Sequence, residues 1–212
     1  ENFDELHDAK QLMSFSFDAS MNRLAGVDRR GHLKVWNRDS KRGGKILPEE
    51  FKPETAGDVM GSGQVSVSGD GRWIAAGSAG QTLITVFYDE SCGIYQPIRN
   101  ELDVAGDGVQ AIAIGQPPDF GSWTCFLTDS LLRVRAGELS DNIRRKRRGF
   151  ASLEFVESVC ERLISTPDSR RMAMLQNNGA VLFLTATSPE IVSSVRSTLR
   201  DCCEVCFSTD QR

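Results

Sequence analysis

One pattern recurs along the chain and limits what it can fold into. An apolar run, a tight polar turn, a second apolar run, a second turn and a third apolar run appear four times in the same order. The first copy is FSFDASMNRLAGVDRRGHLKVWN, from Phe15. The second is VSVSGDGRWIAAGSAGQTLITVFY, from Val65 to Tyr88. IAIGQPPDFGSWTCFLTDSLLRVRA, from Ile112, and LISTPDSRRMAMLQNNGAVLFLT, from Leu163, are the third and fourth. Asp70 and Asp168 occupy matching turns 98 residues apart, two periods of about 49. Asp210 follows 42 residues later, in VCFSTDQR, which begins a fifth copy.

Each run breaks after five or six residues at Gly, Asp, Asn or Pro. That is strand length, and shorter than helices of usual length. Three strands per copy are legible. The fourth is expected between copies, in segments such as GIYQPIRNEL and SPEIVSSVRSTL. The second of these also reads as a short helix, with Pro189 near its start and Ile191, Val195 and Leu199 four apart. Four short strands at a period of 40–50 predict an all-β chain built as propeller blades. The expected blades are 10–60, 61–105, 106–155 and 156–200, with a fifth begun at 201–212. Trp36, Trp73, Phe87, Trp123 and Phe183 are expected mostly inside.

The repeats resemble the WD40 family of β-propellers. Trp36-Asn37 is similar to the family's Trp-Asp. SGDG at Ser68–Gly71 and TPDS at Thr166–Ser169 are similar to its SPDG turn, and Leu6-His7 stands where its Gly-His entry falls. Phe87 and Phe183 stand where the Trp would be, and Arg30 and Gly80 near the place of the buried turn Asp. On this resemblance the His–Ser–Asp–Trp set that braces each blade is incomplete in every copy. The resemblance covers nearly the whole chain. It implies a segment of a larger ring, whose remaining blades come from the same or another chain; a small closed ring is the alternative. A blade has two apolar faces and must bury them on neighbours. The unfinished fifth copy and the absence of a leading Met predict a piece of something longer, marginal or self-associating in isolation.

The formal charge of -4 gives no global drive toward nucleic acid or an anionic membrane. No apolar run approaches the ~18 residues of a membrane helix, and the polar start ENFDELHDAKQL is no secretory signal. The six cysteines are scattered, and free thiols in a reducing, intracellular compartment, cytoplasmic or nuclear, are expected. Cys202, Cys203 and Cys206 form a cluster, but zinc wants four ligands and His7 and His32 are distant in sequence. No metal and no cofactor are expected.

Nothing in the sequence pairs a nucleophile with a base, and no Walker, Rossmann, G-x-S-x-G or H-E-x-x-H motif is present. The turn Ser and Asp residues are explained by local hydrogen bonding. One segment is unusual. NIRRKRRGF carries five consecutive basic residues, Arg144, Arg145, Lys146, Arg147 and Arg148, in what reads as an inter-blade connection. A solvated loop, an anion-binding patch and a nuclear-import signal all fit it. No aromatic stacking pattern surrounds it. The connection Ser40–Gly63 reads as a long exposed excursion, an ordinary insertion or a binding loop.

The chain is therefore expected to be a non-enzymatic, non-catalytic scaffold for protein–protein interaction in a multiprotein complex, with no membrane partner. The alternative is a component of a nucleolar or other ribonucleoprotein assembly. It would contact RNA or anionic partners through Arg144–Arg148.

Overall fold

The computed structural model describes residues 12–28, 32–38, 41–42, 45–51, 64–77, 83–98, 109–116, 123–129, 132–139, 151–155, 158–166, 170–185 and 191–196. Every regular element among them is a strand. The first sheet holds β1 (Leu12–Phe17), β2 (Arg23–Asp28), β3 (Leu33–Asn37) and, after a two-stranded hairpin of β4 (Lys41–Arg42) and β5 (Lys45–Ile46), β6 (Glu49–Phe51). The second holds β7 (Gln64–Val67), β8 (Trp73–Gly77), β9 (Leu83–Asp89) and β10 (Ile94–Ile98). The third is β11 (Val109–Gly115), β12 (Thr124–Asp129), β13 (Arg133–Glu138) and β14 (Ala151–Phe155). The fourth is β15 (Cys160–Ser165), β16 (Arg171–Gln176), β17 (Ala180–Thr185) and β18 (Ile191–Arg196). All four are antiparallel meanders in chain order.

Among the described residues the fold is all-β, with four four-stranded blades. Segment 191–196 is a strand and not a helix, because it completes the ladder along β17. The long connection after β3 also differs from its expected form: it contains the β4–β5 hairpin and the blade's own fourth strand, β6. The fifth copy, at 201–212, lies outside the described residues.

The blades stack face to face because alternate residues of each central strand are apolar on both sides. Ala25, Val27, Leu33 and Val35 of the first sheet pack on Val65, Val67, Ile74 and Val86 of the second. Trp73 and Ala75, on the other face of β8, meet Ile112, Ile114, Cys125 and Leu127. Ala111, Ala113 and Phe126 then meet Met172, Met174 and Leu182. Trp36 and Trp73 are buried, while Phe87, Trp123 and Phe183 are half-buried.

The first strands β1, β7, β11 and β15 lie side by side and line one open groove. In three of them the pairing with the second strand is interrupted by a bulge at the same place, after Leu12, Val109 and Cys160. A bulge sharpens the local twist.

Candidate functional site

The two ends of the stack are the surfaces that connections build, and short-range hydrogen bonds fix their geometry. At one end lie the turns between first and second strands. Asp18, Ser68 and Thr166 occupy equivalent positions there. Asp18 Oδ1 accepts the Arg23 amide at 2.9 Å, Ser68 Oγ the Trp73 amide at 2.9 Å and Thr166 Oγ1 the Arg171 amide at 3.0 Å. Short side-chain acceptors of this kind close turns without help from the rest of the fold. Gly71 completes its turn with a φ of 70°, a left-handed conformation that glycine adopts without strain. Connections between third and fourth strands emerge at this same end.

At the opposite end the second strands finish on Asp28, Gly77, Asp129 and Gln176. The buried carboxylates of Asp28 and Asp129 each accept an amide four residues on, from His32 at 2.9 Å and Arg133 at 3.0 Å. Arg133 Nε adds a 2.8 Å ion pair to Asp129. The turn carboxylates thus sit two residues before Arg30 in the first blade, and one is present in the third. At Gly77 a side chain would collide with the next blade, since a Cβ there would lie 2.7 Å from Val109 Cγ1.

Along the groove, hydroxyls tie neighbouring blades together. Ser16 Oγ accepts the Val67 amide at 3.2 Å and Ser66 Oγ the Ile114 amide at 3.0 Å. Arg162 donates to Gln64 Oε1 at 2.9 Å, joining the fourth blade to the second. Met13 and Phe15 are exposed on β1.

The outer rim of the first two blades is joined by Tyr95. Its amide donates to Glu49 Oε2 at 3.1 Å, and its buried hydroxyl donates to the Gly71 carbonyl at 2.6 Å. Burial pushes the Tyr95 hydroxyl above its ordinary range. Arg23 lies over the Tyr88 ring at 4.2 Å.

The titratable groups have structural surroundings. Burial raises the Cys125 thiol and pushes the Cys160 thiol up to about 12, so both stay protonated and inert. Cys92 is exposed. His32 Nδ1 faces Asp28 at 3.5 Å and Glu50 at 3.3 Å, two carboxylates and not a nucleophile. Among the described residues no group of three His, Cys, Asp or Glu is placed to hold a metal ion. His7 and the Cys202–Cys206 cluster lie outside the described residues.

Arg144, Arg145, Lys146, Arg147 and Arg148 also lie outside them. The strands on either side correct one expectation. β13 ends at Glu138 and β14 begins at Ala151, and these strands pair. The run therefore belongs within the third blade, between its third and fourth strands, and does not join two blades. No helix among the described residues is long and apolar enough to cross a membrane.

The bracing acids and the Tyr95 contacts were not singled out from the sequence. An Asp closing the second apolar run, as in LAGVD and CFLTD, is the signal that marks Asp28 and Asp129. Tyr95 carries no comparable signal, because its partners lie 24 and 46 residues away.

A solved structure decides the architecture. The chain is similar to the β-propeller domain of Cps50 (Swd1) from Myceliophteria thermophila, with a TM-score of 0.65 over 100% of this chain at 12% sequence identity. The fold is a β-propeller. The chain spans 63% of the length of that structure. No family profile matches the sequence, and no curated protein matches it.

Proposed function

We propose that the chain is a segment of a WD40-type propeller and serves as a non-catalytic protein–protein interaction scaffold in a multiprotein complex. The remaining blades of the ring come from the same or another chain, and the compartment is cytoplasmic or nuclear. The observation that carries this reading is the construction of the two ends. Connections of variable length stand on a stack whose turns are closed by their own side chains and whose blades share apolar faces. Such a frame holds binding loops rigidly at little cost in ordering. The step from this fold to interaction is an analogy, since propellers host many activities.

The test is quantitative recovery of partners by the chain and by variants with one end's connections replaced by short Gly-Ser turns. Loss of defined, stoichiometric partners with an unchanged melting curve is the expected result. Recovery of no stoichiometric partner by any form contradicts the reading.

A second reading rests on the five basic residues between β13 and β14. There the chain contacts RNA or another anionic partner, as in a nucleolar or other ribonucleoprotein assembly. Four Arg in five residues favour paired hydrogen bonds to phosphate or carboxylate. Replacing Arg144–Arg148 with Ser is expected to leave the fold intact, weaken binding to a single-stranded RNA and flatten its salt dependence. Unchanged binding and salt slope remove this reading and leave the first in place.

A further inference from the structure

We infer that the groove along the four first strands binds an extended peptide segment through one carboxylate, and that Arg162 is the residue that holds it. The groove lies apart from the connections at the two ends, and the scaffold reading enters only through the expectation of a protein partner. The groove encloses about 510 Å3, within the range of ligand pockets. Among the described residues that line it, Asp18 and Arg162 carry charge.

Those two charges are not alike. The Asp18 carboxylate is used within its own turn, one oxygen by the Arg23 amide and the other by the Ser20 hydroxyl. Arg162 is half-buried, and its Nη1 donates at 2.9 Å to Oε1 of Gln64, a neutral residue of the second blade. Among the described residues no carboxylate pairs with Arg162, and its Nε and Nη2 have no partner. That edge of a guanidinium takes a carboxylate through two parallel hydrogen bonds. A half-buried charge is costly to keep unpaired, and Gln64 holds this one in place without compensating it.

The other polar side chains suit the same ligand. Ser16 and Ser66 each accept an amide from the neighbouring blade, so each hydroxyl still has its proton to donate. Gln64 gives its oxygen to Arg162 and keeps its two N–H donors. The strong side-chain acceptors of the groove are thus taken while donors stay open, which favours an anion and disfavours a Lys or Arg ligand.

The apolar side of the groove selects a peptide. Met13, Phe15 and Phe17 are alternate residues of β1, and all three line it. Met13 is 46% and Phe15 65% exposed, and the rings of Phe15 and Phe17 meet edge to face at 6.0 Å. An extended peptide has the same two-residue period, so its alternate side chains can cover Met13 and Phe15 while a carboxylate faces Arg162. Free phosphate offers nothing for these side chains to bury.

The test is an array of octapeptides that alternate Leu, Val or Phe with Ser or Thr and carry one Glu at each position in turn. Each is titrated on the intact chain beside its Gln counterpart. The best Glu peptide is expected to bind about tenfold or more tighter than the Gln form, the scale of a charge-assisted pair. In Arg162→Gln the two should bind alike. Gln64→Glu makes the same point without removing the guanidinium, since it supplies a counter-ion from within and should also abolish the preference. Phe15→Ser, at an exposed position, should weaken both peptides by a similar factor and keep the Glu preference. Absence of binding by every peptide, or equal binding of Glu and Gln forms to the wild type, overturns the proposal. So does a Glu preference that survives Arg162→Gln or Gln64→Glu. Inorganic phosphate that binds as tightly as the best peptide makes the groove a small-anion site and overturns it too. Self-association in light scattering that Phe15→Ser abolishes and the peptides do not disturb gives the face to another blade, and likewise overturns it. Each of these outcomes leaves the scaffold reading standing, because that reading is tested at the ends of the stack.

Discussion

Tyr95 shows how much a single side chain can hold in a repeat whose blades barely differ. Its ring packs 5.0 Å from that of Tyr88, and its hydroxyl caps the Gly71 carbonyl. Tyr95→Phe keeps the ring and leaves that carbonyl without its partner, which costs about 1–3 kcal/mol. Urea unfolding of the variant checks this. The cysteines allow a second test at the same scale. The Cys160 thiol is raised from its ordinary 9.0 to about 12 in the folded chain by burial. A group whose folded pKa is raised gives its full stability below the unfolded value and loses it as pH rises through the folded one. The chain is therefore expected to lose stability between about pH 9 and pH 12, and Cys160→Ala to lose less over that window. Alkylation mapping should label Cys92 in the native state and Cys125 and Cys160 only on unfolding.

Elements in this fold differ in how plainly the chain declares them. The first three strands of each blade stand out because apolar runs bounded by turn residues carry their own signal. Fourth strands are less legible. β6 is three residues long and hidden behind a basic hairpin, and β18 has apolar spacing that also suits a helix. Tertiary pairing along β3 and β17 settled both. The bracing acids were displaced from their expected place because turn length varies between blades. The Arg144–Arg148 run stands out in the sequence, but that it falls within a blade and not between two depends on β14, whose short ASLEF segment carries little strand signal of its own. Gly77 tests the packing of neighbouring elements. Gly77→Ala drives a methyl into Val109 and is expected to cost about 1–3 kcal/mol, the range for an overpacked core. An unchanged denaturation midpoint would show that β8 and β11 are not in contact there.

At the scale of the whole molecule, blades that are too small to stand alone share their faces, and the shared faces carry the stability. The interface between the second and third blades is the best place to ask whether this is so. Trp73, whose ring is tilted against that of Phe87 at 4.7 Å, belongs to the same apolar cluster as Ile114 of the next blade. Trp73→Ala is expected to cost about 3–5 kcal/mol through lost burial and the cavity left behind. The decisive measurement is a double-mutant cycle of Trp73→Ala and Ile114→Ala, read by urea unfolding. Stacked blades predict a coupling energy between about 0.5 and 3 kcal/mol. Effects that add to within about 0.3 kcal/mol, as for residues that do not touch, would contradict face-to-face stacking and with it the rigid frame on which the proposed function depends.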